Sequence, residues 1–239
     1  AATWIKVSAD GNIRKNRYWD PIADSQNLED YDETEICDKI LTTLTESVKY
    51  RKVSDVPVGV FLSGGIDSST NAALFTEDEE SSVKTFTVGY QQHYDSLYDE
   101  TSDAELFANQ INADHYEKKL TIDQFLDFLP KMVKLQDEPI ADPVCFPLYY
   151  LSELAKNNGV TVCQVGEGAD ELFCGYPIWK MKLILQQLNN LPIPNSLKKI
   201  GLHGMSLFGK KEKHYYEWLR RGANNLPIFW GGSEGLNEE

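Results

Sequence analysis

Basic residues are scarce in this chain: 23 lysines and arginines stand against 37 aspartates and glutamates, for a formal net charge of −14. Phosphate backbones need a basic footprint, so nucleic acid is excluded as a main partner. Cysteine is scarce too. Cys37, Cys145, Cys163 and Cys174 offer no pair at zinc spacing, which predicts reduced core residues in a cytoplasmic protein. The histidines, His93, His115, His203 and His214, form no metal pattern. No apolar run is long enough to span a bilayer, and no signal peptide opens the sequence, so no membrane role is expected. Internal repeats and low-complexity segments are lacking. What remains is 41% hydrophobic over 239 residues, enough for one substantial core with a helical annex.

The most informative stretch is Val58-Gly59-Val60-Phe61-Leu62-Ser63-Gly64-Gly65-Ile66-Asp67-Ser68-Ser69. An apolar run suited to a buried strand ends in a Ser-Gly-Gly turn, and a polar, helix-opening segment follows. The glycines allow a tight turn and bring bare N–H groups close to a ligand. A helix starting at about Ser68 adds the positive end of its dipole, making an anion site suited to phosphate. The Walker-type loop would carry Gly-Lys-Ser/Thr here. A carboxylate, Asp67, replaces that lysine, so a divalent cation must sit between it and a polyphosphate. Mg²⁺ fits that need. An ordinary Ser-Gly turn before a helix is the plain alternative. The six residues Ser63 to Ser68 match the pyrophosphatase-type loop (PP-loop) of ATP enzymes too fully for it.

A second stretch repeats the architecture. Val160-Thr161-Val162-Cys163-Gln164-Val165 reads as a buried strand, and Gly166-Glu167-Gly168-Ala169-Asp170-Glu171 follows as glycine turn and helix start. Asp170 and Glu171 are explained by a first helical turn alone. Glu167, between two glycines and before the helix, is not.

The rest of the chain organises around these two sites. Residues 1–30 read as polar and strand-poor, ending in a linker at Ala23-Asp24-Ser25-Gln26-Asn27. Asp32 to Tyr50 reads as a helix, with Asp32 and Glu35 as a capping box and Ile36, Ile40, Leu44 and Val48 as a core stripe. Strands and helices then alternate to about Leu172. This predicts an α/β fold, a parallel twisted sheet with helices on both faces, Rossmann-like, plus a helical C-terminal annex. The run Glu77-Asp78-Glu79-Glu80 reads as a solvated loop. Lys210-Lys211-Glu212-Lys213 with Arg220-Arg221 is the one basic patch, read as a solvated helix face.

The two glycine motifs together resemble the synthetase domain of the glutamine-dependent asparagine synthetases. Gly166-Glu167-Gly168-Ala169-Asp170-Glu171 is the more discriminating half. Lys84 to Tyr90, Tyr98-Asp99-Glu100, His115-Tyr116-Glu117, Asp137-Glu138-Pro139, Asp142-Pro143 and Pro147 to Leu151 resemble further family segments in order. The resemblance covers roughly residues 18–235 and implies the adenine-nucleotide alpha-hydrolase fold. It divides the chain into residues 1–30, remnant of a glutaminase domain and linker, and 31–239, an ATP-binding synthetase domain incomplete at its C-terminal side.

By the same resemblance, the activity is a two-step ligation. A carboxylate, aspartate in the first reading, attacks ATP to give acyl-AMP and pyrophosphate, and ammonia then forms the amide. Ser63, Gly64, Gly65, Asp67, Ser68 and Ser69 would hold ATP. Leu62, Val88, Gly89, Val165 and Gly166 would meet the nucleoside. Gly168, Asp170 and Glu171 would face substrate or pyrophosphate, Asp67 and Asp170 would hold Mg²⁺, and Glu167 would be the catalytic base. Ammonia would come from a glutaminase domain. The family's N-terminal cysteine nucleophile is not found, since the sequence opens Ala1-Ala2, and neither is its downstream pyrophosphate-binding lysine. Val165 stands where many relatives carry serine. Three readings stay open: an asparagine-forming ligase, an amidotransferase acting on a sugar carboxylate or another acceptor, and a nucleotide-binding fragment without catalysis. By the same resemblance, apolar surface that the family's further domains would cover is expected to be exposed, and a homodimer is a further candidate partner.

Overall fold

Strand β3 (Val58–Phe61) lies at the centre of the main sheet, and its residues alternate between two cores. The computed structural model describes residues 2–20, 23, 25, 30–91, 100–138, 142–191, 193–207 and 214–228. These pack as two compact units. The first comprises Ala1–Gly64 with Asn71–Gln164, and the second comprises Gly65–Thr70 with the described part of Val165–Glu239. Tyr98-Asp99, Pro139, His93, most of the expected linker and Lys210 to Lys213 lie outside the described residues.

The first unit opens with an antiparallel hairpin, β1 (Thr3–Val7) and β2 (Ile13–Arg17), paired from Thr3 with Arg17 to Val7 with Ile13. This corrects the strand-poor reading of residues 1–30. Gly11 turns the connection at φ +81° and Asp10 accepts from the Asn12 backbone at 3.3 Å. Helix α1 (Glu33–Lys52) begins at the expected capping box. Asp32 accepts from the Glu35 N–H at 2.9 Å, and Glu35 accepts from the Asp32 N–H at 3.0 Å. Its stripe is less buried than expected: Val48 is buried, Ile36 and Ile40 are half-buried and Leu44 is exposed.

Strands β3, β4 (Lys84–Tyr90), β5 (Asp114–Leu120) and β6 (Val162–Gln164) form a parallel sheet in the order β5-β4-β3-β6. Val60 and Leu62 face one core, built with Val48 of α1, Ala72 and Phe75 of α2 (Ile66–Thr76), and Ala104 and Ala108 of α3 (Thr101–Gln110). Phe61 and Phe86 face the other, with Leu151 and Ala155 of α5 (Cys145–Asn157). Period-2 alternation on a two-sided sheet requires this split. A neighbouring aromatic cluster joins Leu120 to Phe128 of α4 (Ile122–Leu135) and to Phe146 and Tyr150. Helices therefore cover both faces, as the α/β reading expects.

The acidic run after α2 is tied down by the last turn of α1. Lys49 pairs with Asp78 at 3.0 Å, and Lys52 reaches Glu79 at 3.0 Å and the Glu77 carbonyl at 2.7 Å. It is a surface loop with cation partners, as a solvated run would be, and these exposed pairs contribute little stability.

The cysteine reading needs correction. All four are free thiols, yet Cys37 and Cys174 are exposed and Cys145 and Cys163 half-buried, so none is a fully buried core residue. Burial does push the Cys163 thiol up to about 11, which keeps it protonated and unreactive.

His115 carries a pH consequence. Its Nδ1 lies 2.9 Å from the Thr85 hydroxyl, and its Nε2 is buried without a partner among the described residues. Desolvation holds the imidazole below its ordinary 6.5, opposed by the charges of Glu117 and Glu105. The unfolded chain therefore binds the proton more readily, so this contribution is complete above about pH 6.5 and lost as pH falls below it. Replacing His115 by glutamine is expected to flatten the acid side of a plot of thermal midpoint against pH. An unchanged acid slope would rule His115 out as the cause.

The second unit carries α6 (Ala169–Phe173), α7 (Pro177–Asn189), α8 (Asn195–Leu207) and α9 (His214–Ala223), the expected helical annex. Pro177 sits at the start of α7, where its missing N–H costs nothing. The Gln186 side chain of α7 accepts from the Ile228 N–H at 2.7 Å, just past α9. The arginines of the expected basic patch are paired: Arg220 meets Glu217 in a two-pronged contact at 2.6 and 2.8 Å. Among the described residues no helix is long and apolar enough to cross a membrane.

Candidate nucleotide site

In the first unit, β3 delivers Leu62, Ser63 and Gly64 to the C-terminal edge of the sheet. Leu62 is buried, its N–H donates to the Phe86 carbonyl at 3.0 Å, and its own carbonyl accepts from the buried Thr87 hydroxyl. Both backbone groups are thus already hydrogen-bonded, which leaves one lone pair of that carbonyl over. Ser63 is exposed at the strand end. Gly64 turns the chain at φ +85°, and a side chain there would stand 3.0 Å from the Ala104 N and the Glu100 O at the start of α3. Positive φ and close backbone approach both require glycine. On β4, Val88 is half-buried and packs toward the aromatic cluster, and Gly89 is buried.

The second unit holds the remaining candidates. Helix α2 begins at Ile66, two residues earlier than the sequence predicts, because Gly65 already accepts from Ser69 N at 3.0 Å. The Ser68 hydroxyl donates to that same carbonyl at 3.2 Å. Asp67 therefore sits in the first helical turn, where a carboxylate complements the dipole. Its Oδ2 accepts from the backbone N–H of Ala169 at 3.1 Å. Gly166 approaches from the same side: a side-chain carbon there would lie 2.4 Å from the Asp67 carbonyl oxygen and 3.0 Å from the Ser68 Cα. The two motifs, 99 positions apart by the numbers of Asp67 and Gly166, are thus in direct backbone contact.

Downstream, Gly168 at φ +94° turns the chain into α6, and Cys174 at φ +57° turns it out again. Gly175 N then donates to the Asp170 carbonyl at 3.0 Å, and Gly175 leaves the space that the Asp170 carboxylate fills. Glu167, Glu171 and Val165 are exposed, while Asp67, Gly166, Gly168 and Asp170 are half-buried. Tyr176 donates its hydroxyl to Glu171 Oε1 at 2.8 Å. That bond, with the charges of Glu171, Asp170 and Asp67, raises the phenol above its ordinary value of 10.0. Three carboxylates therefore act on one small region. Among the described residues no cluster of three or more metal-ligating side chains forms. Asp67 and Asp170 are hard oxygen donors of the kind a Mg²⁺ bridged to phosphates accepts in ones and twos, so the residues fit that ion.

Sequence reasoning missed two features here. The Ala169 N–H, a backbone group, carries no sequence signal. The fold-back of Gly175 and Tyr176 onto α6 did have one, a glycine just past a short helix.

The sequence is also similar to known proteins. The sequence model of asparagine synthase matches residues 39–233. Asparagine synthetase [glutamine-hydrolyzing] 1 of Bacillus subtilis (strain 168) is 38% identical over 210 residues, 87% of this chain and 32% of its own length. A protein of Mycobacterium tuberculosis (strain ATCC 25618 / H37Rv), provisionally given the same name, is 38% identical over 75% of this chain and 28% of its own length. An amidase of Penicillium rubens is 31% identical over 73% of this chain and 28% of its own length. Among solved structures, an NH3-dependent NAD synthetase from Campylobacter jejuni is similar at 16% identity and a TM-score of 0.38, over 84% of this chain and 99% of that one. The chain spans about a third of the length of the Bacillus relative. With 195 of its 239 residues inside the family match (39 to 233), the chain belongs to the asparagine synthase family.

Proposed function

We propose that this chain is the ATP-handling part of an amide ligase of the asparagine synthetase type. The observation that carries the proposal is the hydrogen bond from Ala169 N to Asp67 Oδ2, which holds the first turn of α2 against the segment that follows the Gly-Glu-Gly turn. A free carboxylate is a poor acyl donor at neutral pH, and adenylation supplies a leaving group. In this reading the substrate carboxylate attacks the α-phosphate of ATP, pyrophosphate leaves, and ammonia displaces AMP from the acyl-adenylate.

The chain's residues divide that work. Backbone N–H groups and hydroxyls of Ser63, Gly64, Gly65, Ser68 and Ser69 bind the polyphosphate at the start of α2. In the first unit Val88 and Gly89, with Leu62 at the strand end, and in the second Val165 and Gly166, are each assigned to the nucleoside part of ATP. Asp67 and Asp170 hold Mg²⁺, which when bound neutralises phosphate charge. Gly168 and Glu171 border the pyrophosphate or acceptor. Glu167 takes the proton from the attacking ammonia. It is exposed in this structure, within reach of an incoming substrate. Aspartate as acceptor and glutamine as ammonia source are proposed by analogy with the Bacillus relative, a glutamine-hydrolyzing asparagine synthetase.

Titrating the chain with ATP by calorimetry, with and without Mg²⁺, tests the reading. We expect binding that needs Mg²⁺ and falls at least about tenfold in Asp67→Ala, the loss of one charged ligand and its hydrogen bond. Binding that ignores both the metal and the substitution would refute the assignment of Asp67. The acceptor is then read by offering aspartate and sugar carboxylates with ammonia and measuring pyrophosphate release.

A further inference from the structure

Tyr176 plays no part in the reaction outlined above, yet it is built into the acidic turn from two sides. Its ring packs edge-on against Trp179 at 5.2 Å, one turn into α7, and its hydroxyl donates to Glu171 Oε1 at 2.8 Å. The backbone that presents it is fixed as well. Cys174 takes the left-handed conformation, and Gly175 N closes onto the Asp170 carbonyl at 3.0 Å. Any side chain at Gly175 would collide with the Asp170 carboxylate, so that carboxylate rests against the segment leading to Tyr176. Asp67, Asp170 and Glu171 all act electrostatically on the Tyr176 phenol. All of these residues belong to one compact unit.

We propose that Tyr176 is a positioning residue for the cation–polyphosphate site, holding the Glu171 carboxylate away from the ligands Asp67 and Asp170. This rests on the reading of Asp67 and Asp170 as Mg²⁺ ligands. The physical need is plain. Mg²⁺ prefers one or two protein carboxylates and keeps its remaining positions for phosphate oxygens and water. A third, mobile carboxylate beside it would take a position that ATP needs, or repel the polyphosphate. The hydroxyl bond occupies one Glu171 oxygen and fixes its rotamer. Trp179 fixes the ring that carries the hydroxyl. Phenylalanine would keep the ring contact and lose only the bond.

The test is a cycle of Tyr176→Phe, Glu171→Gln and the double variant, each titrated with ATP across a range of Mg²⁺ concentrations. We expect Tyr176→Phe to weaken Mg²⁺-dependent ATP binding by about three- to tenfold, the range of a single hydrogen bond to a charged group. In the Glu171→Gln background the same change is expected to have no further effect, because no free carboxylate is released. Thermal midpoints of the single variants should stay near that of the parent. Asp170→Asn, expected to lose metal dependence altogether, is the control for the underlying reading. If Asp170→Asn behaves as expected while Tyr176→Phe binds like the parent, the positioning role is wrong and the metal site stands. Equal losses from Tyr176→Phe with and without Glu171 would also overturn it, since a structural defect does not depend on the neighbouring charge. If the parent shows no Mg²⁺-dependent binding, the metal reading fails and the positioning role fails with it.

Discussion

Replacing Gly166 by alanine is expected to abolish Mg²⁺-dependent ATP binding and to cost about 1–3 kcal/mol of stability, the range for overpacking a close contact. The added carbon would stand 2.4 Å from the carbonyl oxygen of Asp67, 2.7 Å from its carbonyl carbon and 3.0 Å from the Ser68 Cα. Every one of these atoms is backbone, so no rotamer change relieves the clash. The Val165–Gly166 segment and the first turn of α2 must move apart. That movement breaks the bond from Ala169 N to Asp67 Oδ2 and shifts the proposed polyphosphate loop. Calorimetric titration and denaturant unfolding measure the two losses. Gly204, in α8, is the control. A side chain there meets nothing within 4 Å, so alanine at this position should leave ATP binding intact and, as the better helix former, raise stability by up to about 1 kcal/mol. ATP binding by Gly166→Ala at parental strength would show that the close approach has no functional weight.

Phe86→Ala should act in the opposite proportion, with a large stability loss and binding impaired only through unfolding. Phe86 is completely buried at the centre of β4, stacked on Tyr116 at a centroid distance of 5.5 Å and packed with Ala155 and Val160. Removing a buried phenylalanine ring costs about 3–5 kcal/mol through lost transfer energy and the cavity left behind. For a domain of ordinary stability that is a large share of the total. Its backbone carbonyl, which receives the Leu62 N–H, remains in place. The strand end that feeds the glycine loop should therefore persist in whatever fraction stays folded. Urea unfolding followed by fluorescence gives the cost directly, and a loss below about 1 kcal/mol would mean the site collapses to fill the gap.

These two positions also mark what the sequence made legible. The strand that carries Phe86 was legible only through the resemblance of Lys84 to Tyr90 to a family segment, and nothing in that segment singled out Phe86 as core. The α1 start was readable, since Asp32 and Glu35 carry their capping chemistry in their own side chains. The contact at Gly166 was not. Both glycine motifs announced themselves as turns, but the meeting of the Gly166 and Asp67 backbones depends on tertiary geometry, which local spacing does not encode. Cys174 failed for a related reason. Its left-handed conformation is set by the fold-back of Gly175 onto Asp170, and that turn places the thiol in solvent. The β1–β2 hairpin was missed because Lys6, Arg14, Lys15 and Arg17 dilute its apolar residues, and Ile5, Val7 and Ile13 stay exposed. The Asp10-Gly11 turn between two β-branched segments was the available signal. Leu44 looked like core by its four-residue spacing, yet periodicity identifies a face of a helix without saying how deeply that face is covered.

The shortest strand has a consequence for biosynthesis. β6 has three residues, and it pairs Val58 with Val162, Gly59 with Cys163 and Val60 with Gln164. Those partners are separated by 104 positions (162 minus 58). Strands β3, β4 and β5 are all translated before β6 exists, so while a ribosome makes the intervening residues one side of β3 stays an open edge. Unpaired edges recruit other strands, and long-range parallel pairings close slowly. Val58 to Leu62, apolar and uncharged, is the stretch of this chain that a nascent-chain chaperone has most reason to shield until residue 164 has emerged.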